Sequence, residues 1–164
     1  MRRSDREVKD RDGIEEIMRQ CLVCHVGMAD GGAPYVVPQN FGYRFADDGT
    51  LELYFHSALT GKKLDVIRKN NKVCFEMTVE GEQIRADSPC NWGCYYTSVI
   101  GYGEAVIIED AAEKREGLSI LFKHQSGLDV EFDDKQAESV CVYKIVSKEF
   151  TGKRKQKPGE LAEA

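Results

Sequence analysis

The stretch CLVCHVGMADGGAPYVVPQNFGY, residues 21–43, decides the fold of this chain. Its first part, Leu22 to Ala29, is apolar and rich in β-forming residues, which predicts a buried strand. Asp30-Gly31-Gly32 is a hairpin turn signal. The strand resumes over residues 34–38, where two prolines restrict it to an edge, a bulge or a strand end. The stretch therefore predicts a β-hairpin.

Outside this hairpin, short strands alternate with a few helices. The other predicted strands cover residues 40–45, 51–56, 72–79, 93–109 and 139–147. Predicted helices cover residues 13–20, 60–70 and 110–123, the last with Asp110 as N-cap and Glu113 in the capping-box position. Residues 81–91 are predicted as a loop, and GKRKQKPGELAEA, residues 152–164, as a polar tail. Because the strands are short and connect in antiparallel fashion, we expect a mainly β fold with helices, a closed or split β-barrel.

Length and composition restrict the class of protein further. The chain has 164 residues, 41% of them hydrophobic and 31% charged, which suits one soluble globular domain. Its net charge of -5 does not favour nucleic acid. No apolar run approaches the ~20 residues of a membrane helix, and the polar N-terminus, MRRSDREVKDRDG, is no secretory signal. We therefore expect a cytoplasmic protein without a membrane or nucleic-acid partner.

The segment His56-Ser57-Ala58-Leu59-Thr60-Gly61-Lys62-Lys63 is the clearest candidate for ligand binding. A strand ends here and a helix begins, and the unpaired N–H groups at a helix start attract an anion. The hydroxyl groups and the two lysines strengthen that attraction, so the segment predicts a phosphate site. The alternative interpretation is an ordinary capped helix whose lysines are exposed to solvent and bind nothing.

Three other segments are weaker candidates. Residues 36–41 carry amides on an interrupted strand, where a flat heteroaromatic ring can dock, although an ordinary hairpin with a bulge fits too. Residues 90–98 hold the only tryptophan and two tyrosines, which suit a planar ligand, a subunit interface or simple packing. The basic run after Gly152 either stays solvated or brings Lys153 or Arg154 to a phosphate.

The six cysteines raise the question of a metal or haem site. Cys21-Leu22-Val23-Cys24-His25 has the spacing of a zinc knuckle and of a c-type haem attachment. The segment enters an apolar strand, however, which points alternate side chains apart. Haem attachment also belongs to exported proteins. We therefore expect no metal and free thiols, as is usual in a reducing compartment.

Taken together, four stretches resemble the FMN-binding split barrels of the pyridoxamine 5'-phosphate oxidase-like family, and most of all its nitroimidazole-resistance reductases. The matching stretches are CLVCHVGM-x-D-x4-YVVPQNFGY, LYFHSA-x2-GKKLDVI-x2-N-x2-VCFE, C-x-WG-x2-Y-x-SVIGYGEA and FTGKRK. They span roughly residues 2–154. The resemblance implies a split-barrel domain over residues 1–154 with a polar tail at 155–164, and a homodimer with two FMN sites at the subunit interface.

The resemblance also implies which residues form the cofactor site. Along the isoalloxazine ring it places Val37, Pro38, Gln39 and Asn40. Around the ribityl phosphate it places His56, Ser57, Ala58, Lys62 and Lys63, with His56 near the cofactor as the catalytic candidate. Close to the site, from either subunit, it places Trp92, Tyr95 and Ser98, and Lys153 is the further candidate for the phosphate.

The function implied is that of an FMN-dependent oxidoreductase. A nicotinamide such as NAD(P)H would supply electrons, and a nitro-heteroaromatic or similar small electrophile would accept them. Oxidation of vitamin B6 is disfavoured, because the further basic residues for the substrate phosphate have no match here. A non-catalytic flavin-storage protein and a split barrel that uses B6 phosphate or deazaflavin are the alternatives.

Overall fold

Strands dominate the computed structural model, which describes residues 3–157. The strands are β1 Glu7–Val8, β2 Val23–Asp30, β3 Ala33–Asn40, β4 Gly42–Phe45, β5 Leu51–Ser57, β6 Lys72–Ile84, β7 Gly93–Ile107 and β8 Cys141–Lys155. The helices are α1 Arg11–Gln20, α2 Lys62–Lys69, α3 Ala111–Ser126 and α4 Asp134–Glu138, and short 3-10 turns cover Ser4–Arg6 and Pro89–Asn91. The expectation of a mainly β fold with helices is confirmed.

The strands form one sheet in the order β3-β2-β6-β7-β8-β5-β4, and β1 pairs with β8. The hairpin predicted from the opening stretch is β2 and β3, paired antiparallel from Val23↔Asn40 to Asp30↔Ala33 without a break in register. β3 therefore lies at an edge of the sheet, which is where its prolines are tolerated. The bulge considered for this strand is absent, because Pro34 and Pro38 keep their places opposite Ala29 and His25.

Several boundaries differ from the sequence-based expectation. β6 continues to Ile84, into the predicted loop, and β8 continues to Lys155, into the predicted tail. The end of β8 is too polar to be recognised as a strand, but β1 pairs with it through Glu7↔Lys153 and Val8↔Gly152. These backbone partners, and not composition, hold the segment extended. Residues 158–164 of the expected tail lie outside the described residues.

The chain divides into two compact units. The first comprises the described parts of residues 1–21, 76–100 and 151–164. Its helix α1 buries Ile14, Ile17 and Met18, the residues at helical spacing. The carboxylate of Asp10 caps this helix by accepting from the N–H of Gly13 at 2.7 Å.

The second unit comprises residues 22–75 and 101–150. Its core includes a group of buried residues from β5, α3, α4 and β8 and the segment after β7: Tyr54, Ile108, Leu118, Ala137 and Val142. α3 approaches β4 closely, because a Cβ at Gly42 would lie only 2.4 Å from the Cα of Leu121. Glycine at this position therefore permits the packing of helix on strand.

An ion network, here called the α3 cluster, joins Arg44, Glu52, Glu113 and Lys144 in the second unit. Glu52 accepts from Arg44 Nε at 2.6 Å and from Lys144 Nζ at 2.8 Å. Lys144 also pairs with the Glu113 carboxylate at 2.7 Å. Burial opposes ionisation of Glu52, but hydrogen bonds from Lys144, Arg44 and Tyr54 prevail and lower its pKa to about 2.

The predicted cap of α3 is partly confirmed. The N–H of Glu113 donates to the Asp110 carboxylate at 2.8 Å, as the pattern predicts. The Glu113 side chain, however, belongs to the α3 cluster through its ion pair with Lys144. A tertiary ion pair therefore competes with the local capping box for this carboxylate.

Candidate functional site

The start of α2 is the structural centre of the candidate site. β5 ends at Ser57, and α2 begins at Lys62 after Gly61 as N-cap. Gly61 has φ 142° and ψ 159°, a backbone conformation that side chains with a Cβ rarely adopt. The N–H groups of Leu64 and Asp65 already donate to the Gly61 carbonyl, at 3.0 and 3.3 Å. The backbone donors at the helix start that have no acceptor one turn back are therefore those of Lys62 and Lys63. This geometry favours an anion, as the sequence predicts.

Lys63 is half-buried, and its partner is neutral. Its Nζ donates to Gln39 Oε1 at 2.5 Å. No carboxylate among the described residues forms an ion pair with it. Burial lowers the pKa of Lys63, and the nearby Cys141 only partly offsets this. Lys63 is thus a partly desolvated cation that an incoming anion would stabilise.

Gln39 links Lys63 to a buried tyrosine. Only 8% of Gln39 is exposed, and its Nε2 donates to the Tyr143 hydroxyl at 2.5 Å. Tyr143 is fully buried and stacks on Phe55 with ring centroids 4.9 Å apart. Burial raises the pKa of Tyr143 despite the hydrogen bond from Gln39, so the phenol stays neutral. Gln39, Lys63 and Tyr143 are called the α2 cluster below.

Tyr143 is a member of the site that sequence reasoning missed. It lies on β8 opposite Phe55 of β5, and its hydroxyl meets Gln39 of β3, a strand with which β8 does not pair, so the contact comes from tertiary packing. The only local signal is a tyrosine within the apolar run of residues 139–147. A buried tyrosine needs a partner for its hydroxyl, and that requirement could have marked it.

Lys62 differs from its neighbour. It is exposed, forms an ion pair with Asp30 at 3.0 Å and lies 4.7 Å from the centre of the Tyr35 ring. Its charge is already compensated in part. The two lysines that the sequence treats alike are therefore unequal in their readiness to bind an anion.

His56 and Ser57 end β5 beside this cluster. His56 is accessible to solvent, yet partial burial of the imidazole and the charge of Lys63 lower its pKa. The imidazole is consequently neutral at pH 7. The hydroxyl of Ser57 donates to the Ala58 carbonyl at 2.9 Å, and Ala58 itself is exposed.

The four β3 residues expected along a ring point to alternate faces of the strand. Gln39 is buried and Val37 half-buried, whereas Pro38 and Asn40 are exposed. Asn40 donates to the Leu22 carbonyl at 3.2 Å and to Gln125 Oε1 at 2.8 Å. The structure thus brings Gln39 to Lys63 and engages Asn40 in contacts that tie the strand end to α3.

The remaining site candidates belong to the first unit. Trp92 is 53% exposed, its Nε1 donates to the Ala86 carbonyl at 2.7 Å, and the Arg85 guanidinium lies 5.8 Å from its ring centre. Tyr95 and Ser98, further along β7, are half-buried. An exposed, oriented indole is suited to stacking.

Lys153 pairs with an aromatic side chain of its own unit. Its Nζ lies 5.5 Å from the ring centre of Tyr96. Burial opposes ionisation of Tyr96, but hydrogen bonds from Lys153 and Arg6 lower its pKa. Lys153 is thus held on β8, in a strand and not in a tail.

The cysteines show the strand geometry expected of them. Cys24 is buried and His25 exposed, so the two side chains lie on opposite faces of β2. No disulfide joins any of the six cysteines, all of which are among the described residues. Within residues 3–157 no group of three or more His, Cys, Asp or Glu side chains is placed to hold a metal ion. In the same range no helix is long and apolar enough to cross a membrane.

Comparisons with known proteins agree with this geometry. Among solved structures, a candidate 5-nitroimidazole antibiotic resistance protein from Bacteroides thetaiotaomicron is 33% identical with a TM-score of 0.76, covering 90% of this chain and 85% of that chain. The flavocytochrome Anf3 from Azotobacter vinelandii shares the fold at 23% identity and a TM-score of 0.79, covering 96% of this chain and 73% of that one. An FAD- and haem-binding protein from Mycobacterium smegmatis shares the fold at 17% identity and a TM-score of 0.78, covering 93% of this chain and 74% of that one. No curated protein matches the chain.

A family model described as pyridoxamine 5'-phosphate oxidase matches residues 10–154. That match covers most of the chain, and the relative from Bacteroides thetaiotaomicron supports it independently. The predicted resemblance is confirmed, and the antiparallel sheet is that of a split β-barrel. The chain belongs to the pyridoxamine 5'-phosphate oxidase family.

Proposed function

We propose that the protein is an FMN-dependent oxidoreductase that reduces nitro-heteroaromatic or similar small electrophiles, with a nicotinamide as electron donor. The observation that supports this most is the half-buried Lys63 at the start of α2, whose one hydrogen-bond partner within residues 3–157 is the neutral Gln39. Membership of the family and the 33% identity to a candidate nitroimidazole-resistance protein support the choice of cofactor and substrate class.

The residues present fit a flavin phosphate by their chemistry. A phosphate monoester would give Lys63 a negatively charged partner in addition to the neutral Gln39. The first turn of α2 would add backbone N–H donors to the same phosphate. Lys62 would exchange part of its contact with Asp30 for the same phosphate. Val37 and Gln39, on one face of β3, would lie along the ring.

His56 is the proposed catalytic residue. Its lowered pKa keeps the imidazole neutral at pH 7, so it can accept a hydrogen bond and does not add another positive charge beside Lys63. When bound, the flavin supplies the redox chemistry by taking up electrons from the donor and giving them to the acceptor. The protein's part is to hold the phosphate and to orient the ring.

A homodimer is part of the proposal. Trp92 is largely exposed although its indole N–H is fixed by the Ala86 carbonyl, which suits a ring presented to a second copy or to a planar ligand. Tyr95, Ser98 and Lys153 would accompany it. Sedimentation of the purified protein tests this part, and a monomer in the presence of saturating FMN would contradict it.

The function is tested by following the flavin itself. Protein loaded with FMN is mixed with reduced nicotinamide, and then with a nitroimidazole, while flavin absorbance is recorded. We expect bleaching by the donor and reoxidation by the acceptor faster than in free FMN. Tight binding without acceleration of either step would favour flavin storage. Mass spectrometry of the ligand released from freshly purified protein distinguishes FMN from deazaflavin and B6 phosphate.

A further inference from the structure

Two basic side chains of the first unit have aromatic rings, and not carboxylates, as their partners. The Arg85 guanidinium lies 5.8 Å from the centre of the Trp92 ring, and the Lys155 ammonium lies 6.0 Å from the centre of the Tyr95 ring. Within residues 3–157 neither cation forms an ion pair. A cation–π contact attracts the charge without cancelling it. Both charges therefore remain available to an anion.

The neighbours of Lys155 at the end of β8 differ from it. Arg154 and Lys157 already pair with carboxylates, at 2.7 and 3.0 Å. Lys155 instead lies over Gly93, where a Cβ would come within 3.2 Å of its Nζ. The missing side chain of Gly93 leaves room for the ammonium group at the start of β7. The uncancelled charge of Lys155 is thus held beside the aromatic residues of that segment.

Trp92 is exposed and yet fixed in orientation. Its side chain is 53% exposed, while its N–H is held by the Ala86 carbonyl at 2.7 Å. A ring that is already oriented loses little conformational entropy when a second ring stacks on it. The half-buried Tyr95 adds another ring to the same segment. Arg85, Trp92, Tyr95 and Lys155 are called the aromatic–basic patch below.

The composition of the aromatic–basic patch indicates the chemistry of its ligand. Nucleotide bases stack on aromatic side chains, and arginine and lysine bind phosphate. A neutral aromatic compound would use the rings and leave the charges unused, whereas an inorganic anion would do the reverse. A nicotinamide dinucleotide satisfies both, because the half that takes no part in electron transfer carries an adenine ring and a diphosphate.

We propose that the aromatic–basic patch binds the adenosine diphosphate half of the nicotinamide donor. The adenine stacks on Trp92, and the diphosphate contacts Lys155 and Arg85. This inference rests on the proposed function, which names the donor, and adds the residues of this chain that recognise it. No bond forms or breaks at the patch, since the nicotinamide half alone gives up electrons.

Fluorescence of Trp92, the only tryptophan of the chain, tests the proposal locally. Protein saturated with FMN, so that the proposed phosphate site at α2 is filled, is titrated with ADP at constant ionic strength. ADP lacks the nicotinamide and undergoes no redox reaction, so its binding does not require turnover. We expect a saturable change in Trp92 emission. Failure of the proposed function would appear as flavin that the donor does not reduce, which is a separate measurement.

Lys155→Gln removes one charge and should weaken ADP binding by about tenfold, the effect of one lost charge-assisted hydrogen bond. Adenosine, which lacks the phosphates, should bind wild type and variant equally. Lys9→Gln is the matched control, because Lys9 is an exposed lysine of the same unit that already pairs with Glu7 at 3.3 Å, and it should leave ADP affinity unchanged.

No saturable response to ADP, or equal ADP affinity in wild type and Lys155→Gln, would overturn the proposal. Trp92 emission that changes with protein concentration but not with ADP would overturn it in favour of a contact between subunits.

Discussion

The α2 cluster and the α3 cluster are built from similar polar groups within one unit, yet their charges balance differently. In the α3 cluster, Glu52 faces both Arg44 and Lys144, and Lys144 also faces Glu113. In the α2 cluster, the amide oxygen of Gln39 is the only hydrogen-bond partner of Lys63 in the described part of the chain. A compensated network stabilises the fold, whereas an uncompensated cation costs stability and is available to a ligand. The comparison therefore distinguishes charges that are paired within the fold, in the α3 cluster, from a charge that is available to a ligand, in the α2 cluster.

The largest effect is expected from breaking the compensated network. Glu52→Gln removes the carboxylate that the partly buried Lys144 and Arg44 share. Because two partly buried cations then lose a partner, the free energy of unfolding should fall by about 3 kcal/mol. Denaturant unfolding measures this. Glu116→Gln removes the other partner of Arg44, an exposed carboxylate, and should change stability little. Equal losses in the two variants would show that the α3 cluster is not the compensated network described here.

The contribution of the Glu52 carboxylate to stability should also depend on pH. The folded-state pKa of Glu52 is about 2, below its ordinary 4.5, so its contribution is present above the ordinary value and is lost as pH falls toward 2. The stability difference between wild type and Glu52→Gln should thus shrink steadily below pH 4.5. Unfolding measured at several pH values checks this, and a difference that stays constant down to pH 2 would refute the lowered pKa.

The two neighbouring lysines should separate in flavin binding. Lys63→Ala removes the uncompensated cation and should weaken FMN by about 2 kcal/mol, roughly thirtyfold. Lys62→Ala should reduce FMN affinity less, because the Lys62 ammonium already contacts the Asp30 carboxylate and the Tyr35 ring. Fluorescence quenching of FMN gives both affinities. The reverse order of effects would mean that Lys62, and not Lys63, is the main phosphate ligand.

The smallest effect is expected at Tyr143. Tyr143→Phe removes the acceptor for Gln39 Nε2, which should loosen the amide that holds Lys63 and weaken FMN by about 1 kcal/mol. If Tyr143 acts through this chain, the same substitution in a Lys63→Ala background should have no further effect on affinity. Additive losses in the double variant would instead indicate a separate contribution of the tyrosine.

Local signals in the sequence were sufficient for much of the fold. The cap at Asp110, the apolar face of α1 and the hairpin of residues 21–43 all depend on neighbours within a few positions, and each is present in the structure. The five-residue helix α4 was missed despite its capping box between Asp133 and Gln136, because it is too short to show a helical period.

The sequence predicted only those features of the site whose residues are adjacent along the chain. The segment from His56 to Lys63 indicates a helix start with lysines, and the structure has one there. The contacts that distinguish Lys63 from Lys62 join residues 24 and 104 positions apart in sequence. They join side chains of elements that are not neighbours in the sheet or in the sequence, and a single sequence does not reveal such packing. The same is true of the end of β8, which is a strand because β1 pairs with it.

Comparison of FMN with riboflavin tests the central claim most directly, because the two ligands differ only by the phosphate. Affinities for both are measured by fluorescence quenching in wild type, Lys63→Ala and Lys62→Ala. If the α2 cluster holds the phosphate, wild type should prefer FMN by about thirtyfold or more, and Lys63→Ala should abolish most of this preference while Lys62→Ala retains it. Equal affinities for FMN and riboflavin in wild type, or an unchanged preference in Lys63→Ala, would contradict the account.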